Sequence, residues 1–188
     1  MAWHPPIARG AASPACRALP ARPVALFPMF ATTMNRLANL VYPATVRAQL
    51  VVESKRAFFP IAGSMAASAL GLDASEVTEA LLERERLGST AFGRGMAIPH
   101  ARIPGLAGVR GLFTQFARPI DFDAIDALPV DLAFILLSPT DAGADHLKAL
   151  AQVSRFLRDE AAVARLRGAR TAEALYAILT GEEARDAA

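Results

Sequence analysis

The 188-residue chain predicts an α/β or α+β fold, on three observations. From Met34 onward strand-like and helix-like segments alternate, with no internal repeat. Apolar residues make up 53% of the sequence, enough for a large core. No apolar run approaches the roughly 18 residues that a membrane helix needs, and charges are spread rather than blocked. The chain reads as a soluble globular protein built around one folded unit, residues 34–180.

The first 33 residues stand apart. They hold six of the thirteen prolines and no Asp or Glu, and they show neither helical nor strand period, so they read as a disordered leader or an upstream-start extension. An organelle-targeting segment is the alternative for an Arg-bearing, acid-free stretch. The tail also carries Arg9, Arg17 and Arg22. Without it, Lys+Arg falls from 20 to 17 against 18 acidic residues, so the formal charge goes from +2 to about −1 and no basic nucleic-acid footprint remains. Cys16, the single cysteine, can form neither an internal disulfide nor a thiolate zinc cluster, which agrees with a reducing, cytoplasmic setting.

The elements follow in order. Residues 45–52 place Val46, Ala48 and Leu50 on one face of a strand. Ser54 opens a helical pattern through Ile61, Met65, Ala66, Ala69 and Leu70. Pro60 lacks an amide hydrogen, so either the first turn is distorted or the regular helix begins close to it. Asp73 with Glu76 makes a capping box, Leu72 with Val77 a hydrophobic staple, and the helix runs to about Leu87 with Gly88 as its C-cap. Residues 111–117 and 130–137 are strands, the second apolar enough to be central; Pro119 and Pro129 argue for loops between them. From Asp145 a helix carries Leu147, Leu150, Val153, Phe156 and Leu157, with His146 in its first turn. Thr171 and Glu173 open a last helix whose Leu175, Ile178 and Leu179 face inward; Gly181 ends it, and residues 181–188 fray.

The segment Leu87 to Arg102, LGSTAFGRGMAIPHAR, is the candidate site. Gly93 and Gly95 can adopt positive φ and bring backbone amides to an anion, Ser89 and Thr90 offer hydroxyl donors, and Pro99 fixes the backbone entering His100. His100 is the candidate nucleophile. A glycine-rich turn whose histidine satisfies a local hydrogen bond fits the same spacing. Only His4, His100 and His146 are present, and the spacing supports no metal site. There is no GxSxG elbow for a serine hydrolase, and GSTAFGRG lacks the lysine of a phosphate-binding P-loop. No cofactor is implied.

Three stretches carry a resemblance: Arg84 and Glu85 ahead of LGST; the loop ending in AIPHAR; and IDFDAIDALPVDLAFILLSP at 120–139 followed by DHLKAL at 145–150. Over residues 34–180 the chain resembles enzyme IIA components of the bacterial phosphotransferase system, of the fructose/mannitol type, and within them the nitrogen-regulatory branch. Phe92, Arg94 and the FFPI stretch at 58–61 depart from the usual pattern. The resemblance implies a single domain with a central mixed sheet flanked by helices. It also implies that His100 accepts a phosphoryl group, on its tele nitrogen, from a histidine-containing phosphocarrier protein charged from phosphoenolpyruvate by an enzyme I. Spacing alone leaves the choice of nitrogen open. His146 would bond the phosphoryl oxygens, Arg84 would clamp one, and Ser89, Thr90, Gly93 and Gly95 would complete the phosphate site. The duller alternatives are a solvated helix charge for Arg84 and a water-facing helix terminus for His146; Arg102 reads as a surface residue. The implied role is regulation of targets such as potassium-transport or sensor-kinase proteins, with no nucleic acid and no membrane insertion. The alternative is a sugar-specific IIA component passing phosphate to a IIB transport domain.

Overall fold

A computed structural model describes residues 1–2 and 37–182. The readings placed on residues 3–36, including the leader, His4, Cys16 and the start at Met34, and on residues 183–188 lie outside the described residues. The chain divides into two compact units, 1–31 and 32–188, and all that follows concerns the second.

Its elements are a 3-10 turn (Pro43–Thr45), β1 (Val46–Leu50), α1 (Lys55–Leu70), α2 (Ala74–Arg86), β2 (Ala91–Gly93), β3 (Met96–Ala97), β4 (His100–Ile103), β5 (Arg110–Ile120), β6 (Val130–Pro139), α3 (Gly143–Leu157), α4 (Glu160–Gly168) and α5 (Ala172–Thr180). The sheet is mixed, in the order β1-β5-β6-β3-β2, with β4 also on β6. No helix among the described residues is long and apolar enough to cross a membrane.

β6 is the organising strand. Leu132, Phe134 and Leu136 enter one core with Val153, Phe156 and Leu175 from α3 and α5. Ala133, Ile135 and Leu137 enter the other with Phe58, Met65, Val77 and Leu81 from α1 and α2. Side chains alternate across a strand, so a strand covered on both faces reads as the unbroken apolar run seen here. β3 and β4 run parallel to the same edge of β6, Met96 opposite Leu132 and His100 opposite Leu136. Together they form one strand interrupted at Ile98 and Pro99. The ladder still closes across the gap, because the Pro99 carbonyl accepts the Leu136 amide at 2.9 Å.

Several sequence expectations change here. α1 starts at Lys55 on a Ser54 cap, whose side chain accepts from the Ala57 amide, and runs straight through Pro60. Pro60 is exposed, as is Arg56, whose carbonyl loses the Pro60 amide as a partner on the solvent side of the helix. The buried stripe accordingly uses Phe58, Phe59, Ala62, Met65 and Ala66, while Ile61, Ala69 and Leu70 are half-buried. Phe58 meets Phe116 edge-on at 5.0 Å. Pro119 lies inside β5 instead of a loop: pairing to β6 skips from Gln115 to Ile120, so no ladder bond is asked of it. α4, capped by Asp159, and the short strands β2 to β4 are additions to the sequence reading.

Candidate functional site

His100 is the first residue of β4, directly after the Pro99 break. Ala101 and Ile103 turn toward the α1–α2 core, so alternation sends His100 and Arg102 to the other side, where α3 begins. The His100 Nδ1 lies 2.9 Å from the Ile98 carbonyl oxygen. A carbonyl only accepts, so Nδ1 carries the proton, and Nε2 keeps its lone pair. That lone pair accepts a hydrogen bond from Arg84 Nε at 2.9 Å. Arg84 comes from the last turn of α2, and its Nη1 also donates to the Gly88 carbonyl at 3.0 Å.

The backbone that sets this tautomer is itself anchored to α2. The Ile98 amide donates to the Thr90 carbonyl at 3.0 Å. Thr90 donates its amide and its hydroxyl to the buried Glu85 carboxylate, at 3.1 and 2.7 Å. Lys55 balances Glu85 at 3.2 Å and reaches Asp123 at 2.5 Å. These donors converge on one buried side chain, so α1, α2 and the strand entering His100 are locked together.

His146 approaches from the first turn of α3. Its ring centroid is 5.6 Å from that of His100, with the planes tilted by 52°. Its Nδ1 lies 2.8 Å from the hydroxyl of the fully buried Ser138. Both imidazole pKa values are lowered. For His100 burial dominates and the Arg84 guanidinium adds to it; for His146 burial again leads, followed by His100 and Arg102. Both rings are therefore neutral at pH 7. A cleft of about 540 Å³ opens over them, lined by Glu83, Arg84, Leu87, His100, Arg102 and His146. Among the described residues no three His, Cys, Asp or Glu side chains are grouped as metal ligands.

The structure thus brings His100, Arg84 and His146 together, and Ser89, Thr90, Gly93 and Gly95 do not line their cleft. Ser89 donates to the Phe122 carbonyl at 2.6 Å, and Thr90 is bonded to Glu85. Gly93 and Gly95 do have positive φ, 95° and 78°, and the amide of Arg94 between them binds an anion, but that anion is the Asp126 carboxylate at 2.7 Å. A Cβ on Gly95 would stand 2.7 Å from Arg167 Nη2 and 2.9 Å from Asp131 Oδ1. The expected phosphate cradle is filled by the chain's own side chains. Two residues were missed or underrated. Ser138 is hidden at the end of the apolar β6 run. Arg102, exposed as expected, nevertheless lines the cleft and donates to the Thr140 carbonyl at 2.8 Å. Its spacing of two from His100 becomes a signal only once residues 100–103 are known to form a strand.

Comparison with known proteins gives the family. Residues 40–182 match the family described as phosphoenolpyruvate-dependent sugar phosphotransferase system, EIIA 2. A nitrogen regulatory protein of Bradyrhizobium diazoefficiens is 46% identical over 143 residues, covering 76% of this chain and 94% of that protein. The nitrogen regulatory protein of Escherichia coli is 40% identical over 153 residues, 80% of this chain and 93% of the relative. The crystal structure of nitrogen regulatory protein IIA-Ntr from Neisseria meningitidis superposes with a TM-score of 0.72 at 35% identity, covering 77% of this chain and 99% of that one. The chain belongs to the EIIA 2 family of the phosphoenolpyruvate-dependent phosphotransferase system, as a IIA component with nitrogen regulatory proteins among its relatives.

Proposed function

We propose that His100 Nε2 is the phosphoryl acceptor, charged by the phosphohistidine of a small histidine-containing carrier in a cytoplasmic relay that begins at phosphoenolpyruvate and an enzyme I. The folded unit of residues 34–180 carries this chemistry. The observation that supports it best is the Nδ1–H bond to Ile98, which leaves the lone pair on Nε2, the nitrogen beside Arg84. In the transfer a bond forms between Nε2 and phosphorus, and the bond between phosphorus and the donor imidazole breaks with its electron pair returning to that ring. The charge that develops on the His100 ring is spread over both nitrogens and met by the Ile98 carbonyl. Arg84 must release Nε2 for attack, and its guanidinium then stands where it can clamp a phosphoryl oxygen. Arg102 and His146 supply further positive charge and a hydrogen bond.

The phosphorylation state would act as the regulatory signal. A phosphoryl group brings a charge of about −1.5 to −2, which reverses the sign of a cleft whose fixed charges are Arg84, Arg102 and Glu83. Similarity along 94% of a nitrogen regulatory protein supports regulation over sugar transport. The test is label transfer from phosphoenolpyruvate through enzyme I and its carrier to the full chain. Wild type takes label and His100→Ala does not; labelling of that variant at the same rate overturns the assignment. Rapid transfer from the phosphorylated protein to a sugar-specific IIB domain would favour the transport reading instead.

A further inference from the structure

The Ser138 hydroxyl is fully buried, and its one hydrogen-bond partner among the described residues is His146 Nδ1 at 2.8 Å. That contact has two possible directions. If Nδ1 carried the proton and donated to Oγ, the hydroxyl hydrogen would need a second acceptor, and none of the described residues supplies one. A buried O–H without an acceptor is costly, so the hydroxyl donates and Nδ1 accepts. A neutral imidazole that accepts at Nδ1 holds its proton on Nε2. His146 Nε2 bonds to no described residue, and no buried side-chain nitrogen or oxygen among them lacks a partner, so Nε2 opens to the cleft.

We propose that Ser138 is a positioning residue: its hydroxyl fixes the proton of His146 on Nε2, so that His146 meets the cleft as a hydrogen-bond donor while His100 meets it as a lone pair. The two rings hold opposite tautomers for opposite reasons. A backbone carbonyl draws the His100 proton to Nδ1, and a side-chain hydroxyl drives the His146 proton away from Nδ1. With the other tautomer, His146 would present a second lone pair to the phosphoryl oxygens and repel them. Ser138 sits on β6 beside Arg102 of β4, so the same strand pair that carries Arg102 into the cleft also holds this hydroxyl under α3. The inference deepens the phosphoryl-acceptor reading and rests on it for its consequence, though the tautomer itself can be measured without it.

The experiment uses the full chain labelled with ¹⁵N-histidine. Long-range proton–nitrogen spectra at neutral pH are expected to show His146 with a bare Nδ1 and a protonated Nε2, and His100 with the reverse pattern. Ser138→Ala should turn His146 into a mixture of tautomers. It should also slow phosphoryl acceptance by about 10-fold, the low end of what an orienting partner of a functional imidazole carries. Ser138→Thr, which keeps the hydroxyl, should restore both. A wild-type His146 protonated on Nδ1, or a Ser138→Ala protein with unchanged tautomer and rate, overturns the proposal. If wild type takes no phosphoryl group at all, the acceptor reading fails, and the spectra alone still decide whether Ser138 sets the ring.

Discussion

Two regions of the molecule offer positive charge and backbone donors to an anion, and they differ in what already occupies them. Around His100, the guanidiniums of Arg84 and Arg102 bond to neutral acceptors: an imidazole nitrogen and the carbonyls of Gly88 and Thr140. Around the β2–β3 hairpin Arg94 and Arg167 are each bonded to a carboxylate. Arg167 grips Asp131 with two bonds of 2.6 and 2.8 Å, Arg94 pairs with Glu160, and the Arg94 amide holds Asp126. A crevice of about 360 Å³ lies there too, lined by Arg94, Arg158 and Arg167, but it has no nucleophile. Density of arginine and glycine does not identify an anion site; charge left with neutral partners does, because only that charge is available to a ligand without first breaking an ion pair.

The contrast is sharpest if one arginine is removed from each region. Arg84→Ala should slow phosphoryl acceptance about 100-fold, as loss of a charged donor at a reacting oxyanion does, with stability changed by less than about 1 kcal/mol. Arg167→Ala should do the reverse, lowering stability by about 1 kcal/mol through a partly exposed pair and leaving the transfer rate of the folded protein unchanged. Rates from label transfer and urea midpoints on both variants check the pair; equal rate losses would erase the distinction. Gly95→Ala enlarges the stability effect on the hairpin side. It asks an L-residue to hold a φ of 78° and drives a methyl into the Arg167–Asp131 pair, for about 1–3 kcal/mol. By thermal unfolding that is a fall of several degrees, and an unchanged Tm would mean the pair is not held as described.

The sequence made one of these regions readable and misled on the other. Local signals survived: Asp73 caps α2 by accepting the Glu76 amide, Thr171 caps α5, and Gly181 ends it at φ 73°. The apolar run at 130–137 is central, as its composition requires. What failed was non-local. The glycine loop looked open because its ligands, Asp126 and Asp131, come some thirty residues later. β4 was invisible because four residues ending a glycine loop show no period, and without β4 neither the outward turn of Arg102 nor its neighbour Ser138 could be read. α4 has nine residues and a weak stripe, so its Asp159 cap was its main mark. His146 and Arg84 entered by resemblance; only the fold shows that one reaches His100 from a helix start and the other from a helix end.

Acid should also separate the two regions. The folded-state pKa values of His100 and His146 lie below 6.5, so as pH falls through 6.5 the unfolded chain binds protons first. Stability then falls, and the loss is complete once the pH is below the folded values. Asp126 acts with the same sign in a lower window: the amides of Arg94 and Leu128 hold its carboxyl below 3.8, so its contribution is intact above 3.8 and disappears only as pH drops through the lower folded value. Urea midpoints recorded from pH 7.5 to 3 should first decline below 6.5 from the cleft, and a stability flat from 7.5 to 5 would end the account of two neutral buried rings. Phosphoryl acceptance should likewise persist down to 6.5 without the loss an ordinary imidazole would begin to show.

The smallest expected effect is the most exacting test of the division. Arg94 sits between two glycines of the hairpin, with a φ of 59°, and is one of the residues that depart from the family's usual pattern. In the structure its guanidinium pairs with Glu160, and both side chains are largely exposed, at 55% and 79%. Such a pair contributes about 0.5 kcal/mol or less, and its charge is already compensated. Arg94→Ala should therefore leave both stability and phosphoryl acceptance within measurement error, at low salt as at physiological salt. A severalfold loss of rate at low salt that vanishes at high salt would place Arg94 in the field that steers the donor protein, since long-range steering is what screening removes. The hairpin would then be part of the docking surface, and its ion pairs would have to be counted as held in reserve for a partner.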